Sequence, residues 1–491
     1  MSQESATAAC PGCQERDRRI AELEQAVADL ERQLGEVRRL LEQAQAQGKR
    51  QAAPFRREGL PPSPRKPGRK PGHPRAARPL PAKVDFVIDV PCEVCPDCHV
   101  ELTDPVVHQQ FQTDIPPVVP VVTRFDVHGG TCPGCGRYHQ GRHPLMTSAA
   151  AGAAANQISP VALSLAAELK HRLGVPYRKV VDVLGSYFGP AVSHGALVRA
   201  ERRLARKGEL TFRLPQEALR QSGLAHADET GWRVGRLGAW LWVFCTQEVT
   251  VYAIAKSRGH EVPEAILGSE FDGILIVDGW SAYDVLSCRK GRCVGHIVRR
   301  CRGLLEQGLA EADQRRLLRL LEVLRAGREL AGQAQELAGA EYQRRLEGWE
   351  DDFLGWLLFT SEGGGPEVSK LAEHLWGHRD EFMLHVQQPG VPATNNQAER
   401  QIRPAVLIRK TGGCNRAVTG ALVHMVLASL MASLRQQGKR FVDLAVPLWR
   451  SAVPVALDIG ALPVVVGKQL QETWPALNPE NIWPVPVAAS G

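Results

Sequence analysis

"GLAHADETGWRVGRLGAWLWVFCTQEVTVYAIAKSRGHEVPEAILGSEFDGILIVDG", residues 223–279, carries the densest strand signals of this 491-residue chain. Aromatic and β-branched residues crowd "HADETGWRV", "AWLWVFCT" and "VTVYAIAK", and the glycines of "GRLG" mark a turn between the first two. The pattern predicts three strands, a helix from about residue 260, a buried strand through "GILIVDG" and a short helix after it. Asp228 lies on the first strand and Asp278 ends the fourth. Side chains alternate along a strand, so only one of Asp228 and Glu229 can face a given side.

Strand, strand, strand, helix, strand is the order of a ribonuclease H-like core, in which the fourth strand lies beside the first. Two carboxylates far apart in sequence would then meet at one edge of the sheet. A third acid can arrive on a later helix: "PATNNQAERQIRP", residues 392–404, offers Glu399. Taken alone, that run reads as a solvated helix start, with Thr394 or Asn395 as N-cap and Glu399 paired with Arg403. The two other acids change its meaning. Cutting or transferring a phosphodiester needs an activated hydroxyl and a stabilised leaving oxygen, which two hard cations about 4 Å apart supply through oxygen ligands. Crowded carboxylates repel one another, so such a cluster implies a cation or a shared proton.

Around this core the chain is too long for one compact unit. A hydrophobic share of 44% allows sizeable cores, and the net charge of +7 favours polyanionic partners. The N-terminus lacks the basic-then-apolar pattern of a secretory signal. The most apolar late segment, "VPVALDIGALPVVV", is interrupted by Asp458 and Pro463, so a cytoplasmic, nucleoid-associated protein without a membrane partner is expected. Of twelve cysteines, seven fall in Cys-x-x-Cys settings, which suit zinc in a reducing compartment better than disulfides.

The expected modules run as follows along the chain. Residues 1–46 hold Cys10 and Cys13 and then Ile20, Leu23, Val27, Leu30, Leu34, Val37 and Leu41, the seam of a coiled coil and hence of a homo-oligomer. Cys10 and Cys13 either share a metal across that coil or are inert. Residues 47–82, rich in Pro, Gly, Arg and Lys, read as an extended basic linker that can also hold phosphates. Residues 83–145 form a zinc-ribbon-like module in which Cys95, Cys98, Cys132 and Cys135 close a structural Zn²⁺ site, with Cys92 set aside. Residues 146–215 read as a helix-turn-helix-like DNA-binding region whose last helix carries Arg199, Arg202, Arg203 and Arg206. The core occupies 216–301 and returns at 392–445, interrupted by an α-helical insertion over 302–391, and 446–491 is a C-terminal tail.

"ADETGWRV", "IVDGWSAYD" and "TNNQAERQIRPAVLIRK", in that order behind a basic linker, cysteine knuckles and a coiled coil, resemble the large transposase of the insertion sequence sixty-six family. The resemblance spans essentially the whole chain, and the Asn-Asn-x-Ala-Glu-Arg run is its most specific part. It implies an acid triad of Asp228, Asp278 and Glu399 that binds two Mg²⁺ or Mn²⁺ ions. It also implies cleavage of a DNA strand by water, exposure of a 3'-hydroxyl and attack of that hydroxyl on target DNA. Asn395 and Asn396, in the first turn of the Glu399 helix, are expected to orient phosphate or metal-bound water, and Arg400, Arg403, Arg409 and Lys410 to hold the strand through its phosphates. The chain departs from the family where Cys-Trp-Ala-His and Arg-Arg-Lys are usual: here stand Cys293, Val294, Gly295 and His296, then Arg299, Arg300 and Cys301. The lost aromatic and lysine remove a stacking or phosphate contact, but His296, Arg299 and Arg300 keep theirs as DNA contacts.

The function expected from these readings is a DNA transposase that acts on the ends of an insertion sequence and on target DNA, with or without accessory proteins of the same element. Two other readings are weighed against it. One is a folded, non-catalytic DNA-binding remnant of a mobile element. The other is a nuclease that nicks without strand transfer. The presence of all three acids favours the enzyme.

Overall fold

The computed structural model of the protein describes residues 18–36, 79–103, 106–116, 118–150 and 152–460. Cys10, Cys13, Val37, Leu41 and nearly all of the expected basic linker lie outside the described residues. The chain divides after Asp114 into two compact units. The expected zinc module therefore straddles the division, with Cys95 and Cys98 in the first unit and Cys132 and Cys135 in the second.

In the first unit, α1 (residues 18–36) is helical, and its seam residues Ile20, Leu23, Val27, Leu30 and Leu34 are all exposed in the single chain. Farther along, the backbone of Cys95 accepts from the His99 N–H and donates to Val100, both at 2.9 Å. The second unit repeats this turn between strands β1 (Gly129–Thr131) and β2 (Tyr138–Gln140), where Cys132 accepts from Gly136 at 2.8 Å and donates to Arg137 at 2.9 Å. The residue after the second cysteine takes positive φ in both turns, +58° at His99 and +69° at Gly136. Backbone N–H groups of Cys98 and Asp97 turned onto the Cys95 sulfur, and of Cys135 and Gly134 onto Cys132, hold these two thiols below their ordinary range.

Four helices precede the main sheet: α2 (Pro160–His171), α3 (Tyr177–Phe188), α4 (His194–Lys207) and α5 (Glu209–Arg220). Ser159 and Ser193 cap α2 and α4 by accepting from Ala162 and Ala196, as serine before a helix favours. Arg199, Arg202, Arg203 and Arg206 are exposed along α4. The helix α5 runs through the expected boundary at 215, because Phe212 and Leu219 pack into the core of the sheet.

That sheet has five strands: β3 (Leu224–Val234), β4 (Leu237–Cys245), β5 (Thr250–Ala255), β6 (Ile274–Val277) and β7 (Arg289–Arg292), in the order β5-β4-β3-β6-β7. The first three form an antiparallel meander, whereas β6 pairs in parallel with β3 and with β7. A short helix, α6 (Glu261–Leu267), joins β5 to β6. The sequence β6 "ILIV" is buried throughout, as a strand covered on both faces requires.

Two late helices complete this core. In α12 (Asn396–Thr411), Ala398, Ile402, Ala405 and Ile408 recur at helical spacing and pack against the sheet. The helix α13 (Val418–Gln436) covers the free edge of β5. Ser433 and Ser429 accept from the Thr250 and Tyr252 amides at 3.0 and 2.8 Å, which satisfies donors an edge strand leaves unpaired. By length and apolarity α13 could cross a membrane, yet most of that surface is buried against the strands and neighbouring helices.

Between the two parts of the core, α7 (Val294–Leu305), α8 (Glu311–Gly332), α9 (Gly339–Gly363), α10 (Pro366–Gly377) and α11 (Arg379–Gln387) share a core of their own, centred on residues such as Leu320, Phe353 and Leu371. Buried Arg292 of β7 pairs with Asp284 and with Glu381 of α11, tying the helices to the sheet. A last helix, α14 (Phe441–Arg450), crosses the boundary expected at 445. The segment after it is also packed: Val455 bonds to Lys207 and Thr211, and Ile459 is buried. The described part of the expected tail thus belongs to the folded unit.

Candidate active site

The parallel pairing of β3 with β6 sets the first two acids. His226 stands opposite Ile276, so Asp228 and Asp278, each two residues on, leave the paired region at the same level. The third comes from α12. Its entry is stitched to the end of β6 through α7: the Cys293 amide donates to Val277, and the Val294 amide donates to Ala393, both at 2.9 Å.

Asn395 locks the join. It is fully buried, its Nδ2 donates to the Ala227 carbonyl at 2.6 Å, its Oδ1 lies 3.1 Å from His226 Nδ1, and its backbone amide donates to the Cys293 sulfur at 3.2 Å. The side chain expected to orient phosphate thus bonds within the protein. Its amide is committed to β3 at both ends, and what it orients is α12. It occupies the N-cap position without a capping side-chain bond, while its carbonyl accepts from the Glu399 amide at 3.0 Å. Asn396, one residue on, is exposed.

The three acids are electrostatically one cluster. Burial pushes the Asp228 carboxyl up to about 7, and the charges of Glu229, Asp278 and Glu399 add to the effect against the opposing bond from the Glu229 amide. A buried acid with carboxylate neighbours of the same sign fits a hard divalent cation. Asp278 accepts from the Trp280 amide at 2.9 Å. Glu399 is held by Arg299 of α7 at 3.0 Å, so its ion-pair partner is Arg299 and not Arg403.

Alternation sends Glu229 away from Asp228. Its carboxylate accepts from Arg258 at 2.7 and 3.0 Å and from Tyr283 at 2.8 Å. Arg258 in turn lies over the rings of Trp240 and Trp280, 4.5 and 3.5 Å from their centroids. Burial and the nearby Asp278 raise the Glu229 carboxyl against the pull of Arg258 and Tyr283. Sequence reading missed Arg258, Trp280 and Tyr283. Their signal is position: Arg258 lies just beyond β5, and Trp280 and Tyr283 just beyond the end of β6 that carries Asp278.

A cavity of about 340 Å³ opens beside Asp278, and Arg258, Trp280, His296, Arg300 and His374 help line it. It brings two of the expected DNA contacts, His296 and Arg300, next to an acid. Burial, helped by Arg299, lowers the His296 imidazole below its ordinary range. The other cations are dispersed. Arg403 is exposed, and Arg400 borders a second cavity of about 310 Å³ with Arg172 and Arg435. Arg409 bonds to Gly231 and, at 3.0 Å, to Thr230, so part of its guanidinium is spent on β3. Lys410 lies at the end of the same helix.

Asp228 carries a testable pH signature. Its folded value lies above its ordinary one, so its burial costs nothing at pH values where it is protonated in both states. The folded protein loses stability as pH rises from about 4 to about 7, by up to about 1.4 kcal/mol per pH unit. In chelator, Asp228→Asn is expected to melt above the parent at pH 8, by roughly 2–4 kcal/mol, and level with it near pH 4. Parallel melting curves for the two proteins across this range would refute the raised Asp228 carboxyl.

The family model described as "Transposase IS66 family" matches residues 156–422, which include all three acids and the helices α7–α11. Two curated relatives, both from Sinorhizobium fredii (strain NBRC 101917 / NGR234), are similar over shorter stretches. The uncharacterized protein y4qI is 23% identical over 41% of each chain, and the uncharacterized protein y4jD is 26% identical over 38% of this chain and 39% of its own. The chain thus spans about two fifths of the length of the curated relatives it matches.

Proposed function

The chain belongs to the IS66 family of transposases, with over half its length matched, and from that membership we propose that it cuts and joins DNA strands at the ends of an insertion sequence. In this reading the five-stranded sheet with α12 and α13 is a ribonuclease H-like core, and Asp228, Asp278 and Glu399 hold two Mg²⁺ or Mn²⁺ ions. The observation that carries it is the convergence of acids, distant in sequence, at one end of β3 and β6, where burial, with the charges of Glu229, Asp278 and Glu399, raises Asp228 to about 7. Such ions, when bound, supply an activated hydroxyl nucleophile and stabilise the leaving oxygen.

The chain's own residues do the rest. Asn395 and Cys293 aim α12, so that Glu399 reaches the level of the two aspartates. Arg299 neutralises Glu399 until the site is loaded and, being more than half exposed, is then free to turn to a phosphate. Arg300 and His296 offer donors beside Asp278, and Arg403 and Asn396 extend the contact along α12. The exposed arginines of α4 serve end recognition, the α1 seam pairs chains, and each of the matched cysteine turns offers a pair of thiolates to structural Zn²⁺.

The test is cleavage of labelled DNA bearing the element's terminal repeats. Mg²⁺ is expected to yield a cut at the repeat and a joined product with target DNA, and chelator is expected to abolish both. Cutting without joining would leave a nuclease, and no cutting with retained DNA binding would leave a non-catalytic binder.

A further inference from the structure

Next to the oxygen-only triad lies a donor set of a different chemical character. Cys293 Sγ, a nitrogen of His296 and a carboxylate oxygen of Glu399 all lie within 4.8 Å of one another. Cys293 is the residue before α7 and His296 stands three positions on, so one helical turn brings sulfur and imidazole to the same side. Glu399 joins them from α12. The His296 Nδ1 is shut off from solvent and has no hydrogen-bond partner among the described residues, an unusual state for a buried polar atom. The sulfur accepts from the Asn395 amide, an orientation that suits a thiolate.

We infer that Cys293, His296 and Glu399 form a site for a Zn²⁺-class transition ion, separate in its ligands from the cysteine turns and from the two aspartates. One sulfur, one imidazole nitrogen and one carboxylate oxygen match the donors zinc takes at a three-ligand site, which leaves a fourth position for water or a phosphate oxygen. Mg²⁺ has little use for the sulfur. Binding converts the thiol to a thiolate and releases its proton to solvent. Glu399 leaves Arg299, whose guanidinium is exposed enough to swing into water. The carboxylate that the cleavage reading assigns to the triad is then shared with an ion of another kind.

Zinc retained per chain, counted after dialysis against a zinc-buffered solution without DNA, tests this independently of strand cutting. The full-length parent is expected to keep one equivalent more than Cys293→Ser and one more than His296→Ala, while Asp228→Asn keeps the parental number. Equal zinc in the parent and in both variants overturns the inference, whatever their activity on DNA. The serine hydroxyl still accepts from the Asn395 amide. If circular dichroism shows that Cys293→Ser has lost its fold, His296→Ala, altered at a partly exposed position on α7, decides the matter alone.

Discussion

Asp278→Asn is expected to lower Mg²⁺-dependent cleavage of terminal-repeat DNA by roughly a thousandfold or more, with DNA retention in a gel-shift assay within about twofold of the parent. The size follows from what the substitution removes. A neutral amide is a poor ligand for a hard cation, and the site loses one of three charges that converge from β3, β6 and α12. The fold should survive, because the Trp280 amide, 2.9 Å from Asp278 Oδ1, finds the same acceptor in asparagine. In the proposed reading DNA is held by cations elsewhere, on α4, α7 and α12. A variant that cuts at the parental rate removes Asp278 from the chemistry. One that neither cuts nor binds has lost more than an ion ligand.

The largest effect on stability is expected at Arg258. Its guanidinium bonds twice to Glu229, whose side chain is 1% exposed, and fills the space between Trp240 and Trp280. Arg258→Ala leaves a buried carboxylate with the Tyr283 hydroxyl as its remaining side-chain partner, a change that costs about 3–5 kcal/mol when a buried pair is broken from one side. Burial and Asp278 already raise Glu229, so protonation relieves part of the loss. The deficit should shrink as pH falls and widen towards pH 8. Arg258→Lys should recover only part of it, since an ammonium lacks both the two-pronged bond and the flat face that stacks on the indoles. Denaturant unfolding at two pH values checks this. A loss below about 1 kcal/mol at pH 8 would mean that water enters and replaces the arginine.

Much of the order along the chain was legible from local pattern. Alternating and continuous apolar runs marked β3, β4, β5 and β6, and heptad spacing marked α1, because these signals depend on which face of one element is buried. The boundaries read less well. Phe212 and Leu219 draw α5 into the sheet, and Ile459 draws the chain after α14 onto the helices, through packing that no neighbour in sequence announces. Asn395 is the sharpest case. By sequence it is a polar residue at an exposed helix start, and only the approach of Ala227, His226 and Cys293 turns it into a buried bolt.

The sequence by itself determined the family and the cysteine turns, since both are written in residue type and short spacing. Only the tertiary structure decided what the three acids meet. The parallel register of β3 and β6 levels Asp228 with Asp278, the joins at Cys293 and Asn395 aim Glu399, and Arg299 rather than Arg403 becomes its partner. The physical reason is distance along the chain. A charge one turn away can be read from helical periodicity, but Arg299 and Glu399 are a hundred residues apart and meet only because two separate cores fold against the same strands.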